Sequence, residues 1–416
     1  MRGKEEQFLF IDEFENTSDD ISRIKELLKS NHGRDFFLGV REDYLSIYYK
    51  GMSFASVEAL QNGRCSYTLS YYYLNGVKDK NGIKKYDTKT SGYYTLPSDV
   101  FWDEANLNKI KDNVEKHVFG FGARGYLYLE KVCQQWIINS NNNNPDSDWY
   151  YVDMEYIYKE ENGDKEHPFG RADLIAIKKD PNENKKFDVA FVELKVGTGA
   201  YGVSIKVPDD IKGKEQRECY RKKVIKTLNN DLWDDEVKAV KLGSGLASHV
   251  VDFMHFFAEE KAKDQLREEI LGILKVHKKF GLVDKDCPLY KLNDADAIEL
   301  NPDIYIVTYS DVPDIDKYTI SEKAKEREIP TLKDMKKEFG KYFYDGKGSS
   351  SLPVEKLINS DQIKGFVDLK YDYNKFISDA KLQIDCTQRI KGQDFRFVFR
   401  FIDVNDKKVN CKNCIE

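Results

Sequence analysis

Residues 168–177 read PFGRADLIAI and residues 188–197 read DVAFVELKVG. Each is an apolar run broken by charge, and Asp180-Pro181-Asn182-Glu183-Asn184 between them is turn chemistry. Two neighbouring strands are expected, over 171–177 and 187–195. Side chains alternate along a strand, so Glu193 and Lys195 point one way and Leu194 points into the core. The turn returns the first strand alongside the second and sets Asp173 next to Glu193. Two carboxylates at one sheet edge repel unless a cation lies between them. Mg²⁺ or Mn²⁺ suits such an all-oxygen site, with water filling the remaining positions. A cation there would polarise a phosphoryl oxygen and acidify water, and Lys195 would hold the attacking water and stabilise developing charge. The competing explanation is an internal salt bridge, or a site that has lost activity.

Outward from this pair, apolar positions over 124–139 predict a long helix, ended by Asn141 to Asn144 and Pro145. A strand follows over 149–158. After Val196 a loop holds Gly197, Gly199 and Gly202, and a charged segment runs from 206 to 226. Leu246, Val250, Phe253 and Phe257 recur at helical spacing and predict a helix over 243–258, continuing as a more polar helix to about 279. DIYIVTY, 303–309, reads as a buried strand. The middle of the chain is thus helix–strand–strand–strand–helix–strand. Before it, a helix over 22–29, β-type runs over 35–40, 44–50 and 65–74, and the turn pair Asn75-Gly76 make 1–118 a strand-rich α+β module. After it, 312–416 is expected to hold an amphipathic helix over 332–344, a GKGSSS linker at 346–351, a helix over 371–390 and a closing strand over 395–402.

The segment with Asp173 and Glu193-Leu194-Lys195 resembles the core of the restriction-endonuclease-like PD-(D/E)xK nuclease superfamily. The likeness covers residues 121–310, within a domain placed at 119–311. It implies a mixed α/β fold with helices flanking a mixed sheet, and α+β regions on either side. It implies Asp173, Glu193 and Lys195 as catalytic residues, with Asp173 and Glu193 as metal ligands. Glu130 on the first helix matches a further family carboxylate that reaches the metal directly or through water. Pro168 stands apart from Asp173, separated by Phe169-Gly170-Arg171-Ala172, where the family pattern has the two adjacent. The run GSGLASHVVD offers Ser244, Ser248 and His249 where members often carry a polar residue. The implied activity is Mg²⁺-dependent hydrolysis of phosphodiester bonds, in DNA ahead of RNA, in the manner of bacterial defence or restriction proteins. A two-fold dimer or a partner subunit would serve to cut both strands of a duplex. The alternative is a catalytically inactive member of this fold acting as a nucleic-acid-binding or assembly module.

The chain has 416 residues with net charge −6, which disfavours a wholly nucleic-acid-coating surface but permits a local basic groove. Arg171, Lys222 and Lys223, with Ser244 and His249, are the candidate nucleic-acid contacts. Lys212, Lys214, Arg217, Arg221 and Lys226 extend a basic segment that is either an arm on the phosphate backbone or a solvated helix face. His249 with Asp252 is either polarity at a core edge or part of the chemistry. The aromatic runs 44–49 and 67–73 either stack bases or pack a sheet. Seven scattered cysteines and the absence of a long apolar run point to a reducing cytoplasm and no membrane span. Cys411-x-x-Cys414 lacks the second ligand pair a structural zinc site needs. GFVDLK, 365–370, repeats the acid-x-Lys pattern, with Asp345 upstream, but without a preceding strand; it reads as a half-exposed strand.

Overall fold

The computed structural model describes residues 19–29, 35–60, 64–78, 92–120, 122–158, 171–195, 207–217, 219–220, 253, 256–300, 303–308, 381–390 and 393–403. For 59, 119–120, 122–129, 195, 303–308, 381–390 and 393–403 it gives the backbone path. The helix 332–344, the 346–351 linker, the GFVDLK segment and the Cys411/Cys414 pair lie outside the described residues, as does the expected helix 243–258 except at 253 and 256–258. So do Lys222, Lys223, Ser244, Ser248 and His249.

Helix α1 (Asp19–Lys29) leads into an antiparallel meander of five strands, β1 (Phe36–Val40), β2 (Leu45–Tyr49), β3 (Met52–Ala59), β4 (Cys65–Ser70) and β5 (Tyr93–Pro97), paired in sequence order. β1 and β2 are buried at every position, so both faces of this end of the sheet are covered. The expected strand over 65–74 stops early. Tyr71–Tyr73 turn into a 3₁₀ helix, because buried Asn113 donates to the carbonyls of Tyr73 and Asn75, both at 2.8 Å. Three helices follow: α2 (Ser98–Phe101), α3 (Glu104–Gly120) and α4 (Gly122–Asn142).

The second sheet holds β6 (Trp149–Ile157), β7 (Arg171–Lys178), β8 (Phe187–Lys195), β9 (Ile298–Glu299), β10 (Asp303–Thr308), β11 (Lys381–Ile390) and β12 (Gln393–Asp403). Its order is β11-β12-β10-β8-β7-β6, with β9 on β8. β7 runs antiparallel to both of its neighbours, β6 and β8, whereas β8, β10 and β12 run parallel. The turn between β7 and β8 is closed by Asn182, whose side-chain oxygen accepts from the amides of Asn184 and Lys186. The protein is therefore mixed α/β, with two sheets and several helices. Among the described residues no helix is long and apolar enough to cross a membrane, and Cys65, Cys133, Cys219 and Cys287 are free thiols.

Two expectations need correction. Residues 381–390, expected at the end of a helix, form strand β11, antiparallel to β12. Leu382, Ile384, Cys386 and Ile390 alternate with Lys381, Gln383, Asp385, Thr387 and Arg389; this period of two overrides the helical reading. The helix expected to continue from 258 to 279 also breaks, at Glu259, which is extended (φ −106°, ψ 103°) and begins α5 (Glu260–Lys279). The helix is as polar as expected and ends at Lys279, but one face is core, with Leu266, Ile270, Ile273, Leu274 and Val276 all buried.

One hydrophobic core runs through both sheets; two polar joints fasten them, and a third ties helix α4 to the first. His277 on α5 is fully buried, with Nδ1 2.9 Å from the Tyr150 hydroxyl of β6 and Nε2 2.9 Å from the Leu38 carbonyl of β1. A carbonyl only accepts, so Nε2 carries the proton and Nδ1 accepts from Tyr150. Arg41, just after β1, pairs with Asp153 of β6 at 2.6 Å. Gln135 of α4 accepts from the Gly51 amide at 2.5 Å and donates to the Asp35 carbonyl.

Burial pushes the His277 imidazole down to about 4 from its ordinary 6.5. Between these values the unfolded chain binds a proton that the fold excludes, so stability falls as pH drops through this window and levels off below it. His277→Gln retains a donor and an acceptor without titrating. From pH 7 to 4.5 the wild type should lose about 2–3 kcal/mol more than this variant, read from urea midpoints.

Candidate functional site

β7 and β8 pair through Ile177↔Val189, Ala176↔Ala190, Ile175↔Phe191 and Leu174↔Val192. The paired ladder ends at Leu174↔Val192; continued by one step, that register would set Asp173 across from Glu193, on one face. Here the ladder gives way to a side chain: Asp173 Oδ2 accepts the Leu194 amide at 2.7 Å. On the other side of β8, Ile306 of β10 pairs with Glu193 and Thr308 with Lys195. Glu193 thus occupies an interior strand position and is fully buried, whereas Asp173 is partly exposed. Two residues before Glu193, Phe191 packs against the rings of Phe253, Phe256 and Phe257, at 5.4, 5.0 and 4.9 Å between centroids. An acid set beside this aromatic cluster is costly to charge without a compensating cation or donor.

A third carboxylate stands at the same level. β6 pairs Met154 with Leu174 and Tyr156 with Ala172, which places Glu155 opposite Asp173 in the register. Glu155 has a left-handed backbone, φ 57°, and its carboxylate lies 3.5 Å from the Lys131 ammonium of α4. Sequence reasoning passed over Glu155, although it breaks an aromatic strand, WYYVDMEYI, just as Glu193 breaks β8. Glu130 precedes Lys131 on α4 and is half-buried. One turn on, Gln134 is fully buried, and its amide oxygen and nitrogen meet no hydrogen-bond partner among the described residues. A buried amide left in that state is rare in folded proteins.

Arg171 is exposed at the start of β7, opposite Ile157. Among the described residues no group of three or more His, Cys, Asp or Glu side chains is placed to hold a metal ion. What the strands bring together is the pair Asp173–Glu193, with Lys195 at the last position of β8. The aromatic runs are mostly core: Tyr48, Tyr49, Tyr67 and Tyr73 are buried, and Tyr67 stacks on Phe101 at 4.0 Å. Tyr72 is exposed, but Tyr71 and His117 lie against it, at 3.9 and 4.6 Å. The glycines of GTGAYG, 197–202, directly follow β8 with G-x-G-x-x-G spacing. That spacing alone is a weak phosphate-loop signal, and these residues lie outside those described.

Asp173 has two separable duties, and two substitutions divide them. Asp173→Asn keeps an oxygen to accept the Leu194 amide but loses the charge; its urea midpoint should match that of the wild type within about 1 kcal/mol. Asp173→Ala loses the acceptor as well and should cost about 1–2 kcal/mol.

Comparison with protein-family models finds no match, and comparisons with curated proteins and with solved structures find none either.

Proposed function

We propose that the protein is a divalent-metal-dependent nuclease hydrolysing phosphodiester bonds, with a restriction-endonuclease-like core and DNA as the favoured substrate. The carrying observation is that Asp173 and Glu193 both follow directly on the last β7–β8 pair, Leu174↔Val192, where the Asp173 carboxylate takes the Leu194 amide and Glu193 is fully buried. The order α4, β6, β7, β8, α5, β10 around that pair adds support. The donor set fits a hard cation: carboxylate oxygens suit Mg²⁺ or Mn²⁺ and offer nothing to a soft metal. Asp173 and Glu193 would hold the cation. Gln134, one turn from Glu130 and buried without a hydrogen-bond partner among the described residues, marks where α4 has polar capacity to spare. The cation supplies Lewis-acid polarisation of the phosphoryl group. Lys195 holds and orients the attacking water and stabilises charge as it develops. A role in bacterial defence or restriction is part of this proposal, by analogy with the family's accessory architectures.

The bond from the Leu194 amide to Asp173 favours a second reading, in which Asp173 serves to end a ladder and the fold binds nucleic acid or a partner without cleaving. The experiment that separates the two is incubation of the purified protein with linear and circular DNA, and with RNA, in Mg²⁺, Mn²⁺ or EDTA. Cleavage only with added cation is the expected result; binding without cleavage under every condition supports the second reading.

A further inference from the structure

We infer that Arg41, from the N-terminal sheet, is a positioning residue of the candidate site, holding strand β6 in the register that flanks Asp173. The inference rests on the metal-dependent nuclease proposed above. β6 is the strand that borders β7 on the side away from β8, and it is irregular where it passes Asp173. Its register slips between Tyr151 and Asp153, leaving Val152 as the extra residue of a bulge. Two residues later Glu155 is left-handed. Between these irregularities lie Asp153 and Met154, and Arg41 grips both. Nη1 is 2.6 Å from Asp153 Oδ1, and Nη2 donates to the Met154 carbonyl at 2.9 Å and to the Tyr48 hydroxyl at 2.6 Å. Asp153 Oδ1 also accepts the Met154 amide at 2.8 Å.

A buried ion pair of this kind is poor stabilisation, because desolvation offsets most of the attraction; its best-attested use is to specify register. Register matters here. A one-residue slip of β6 would move every side chain beside Asp173 to the other face. It would carry Glu155 away from the level of Asp173 and from the Lys131 ammonium of α4 that it meets at 3.5 Å. The planar fork of Arg41 holds two strand groups at a fixed spacing, which the flexible point charge of a lysine does not.

Mn²⁺ binding to the full chain, measured by calorimetry, provides the test. A merely structural loss lowers the number of competent sites and leaves the affinity of the folded fraction alone. A lost positioning residue weakens affinity at unchanged stoichiometry. Arg41→Met is expected to weaken Mn²⁺ binding about tenfold or more, as outer supports of metal sites do, with Arg41→Lys between it and the wild type. Tyr48→Phe removes one hydroxyl and keeps the fold should Arg41→Met fail to fold; it is expected to weaken binding about threefold. Glu193→Gln is the control that abolishes binding. Wild-type affinity in Arg41→Met, or in Tyr48→Phe where Arg41→Met does not fold, overturns the inference while leaving the nuclease proposal standing. No Mn²⁺ binding by the wild type overturns both.

Discussion

Lys195→Ala is expected to lower Mg²⁺-dependent cleavage by about 10³-fold, the scale of losing one preorganised electrostatic group in an active site. The position explains why so large an effect would come from one side chain. Lys195 is the last residue of β8, two after Glu193 and level with Thr308 of the parallel strand β10. Strand alternation puts it on the Glu193 face, at the sheet end where β8 leaves the core. Stability should stay within about 0.5 kcal/mol, since substitutions at the last position of a strand seldom cost more. Cleavage rates at saturating Mg²⁺, with urea midpoints measured alongside, check both halves. Activity retained in the variant would remove Lys195 from the mechanism.

Gly51→Ala carries the largest expected loss of stability, about 3 kcal/mol or more. Lys50 and Gly51 join β2 to β3 in a two-residue turn with φ of 51° and 76°, the left-handed pair that suits a tight hairpin. The turn also presses on helix α4. A Cβ at Gly51 would stand 2.1 Å from the Lys131 carbonyl oxygen and 2.7 Å from the Val132 nitrogen. Neither atom can yield without moving the helix that carries Glu130, Lys131 and Gln134. Gly76→Ala is the control: its φ is equally left-handed at 79°, but its close neighbour is the mobile Cε of Lys109 at 3.0 Å. It should cost only about 1 kcal/mol. Equal losses in the two variants would show that backbone conformation, not the approach to α4, dominates.

The parts of this molecule legible in its sequence are those where one physical signal acts alone. β7, β8 and the turn between them follow from apolar runs around Asn182. Helix α3 was legible but passed over: Ile110, Val114 and Val118 recur on one face and are all buried. β11 was misread because its alternation is diluted by Gln388, where an apolar residue would have completed the pattern. Other features are written in no local pattern. The Arg41–Asp153 pair, the His277 bridge and the Gln135–Gly51 contact join residues far apart in the chain; the first two depend on how the sheets meet, the third on how helix α4 packs against the β2–β3 turn. Glu155 belongs to the same class, because its level beside Asp173 is set by a bulge that periodicity does not foretell.

The central claim is that Asp173 and Glu193 together bind a divalent cation. Calorimetric titration of the metal-free protein with Mn²⁺, wild type beside Glu193→Gln and Asp173→Asn, measures this directly. Saturable binding by the wild type, lost in both variants while their urea midpoints hold, is the expected result. Equal binding by all three proteins, or none by the wild type, would contradict it.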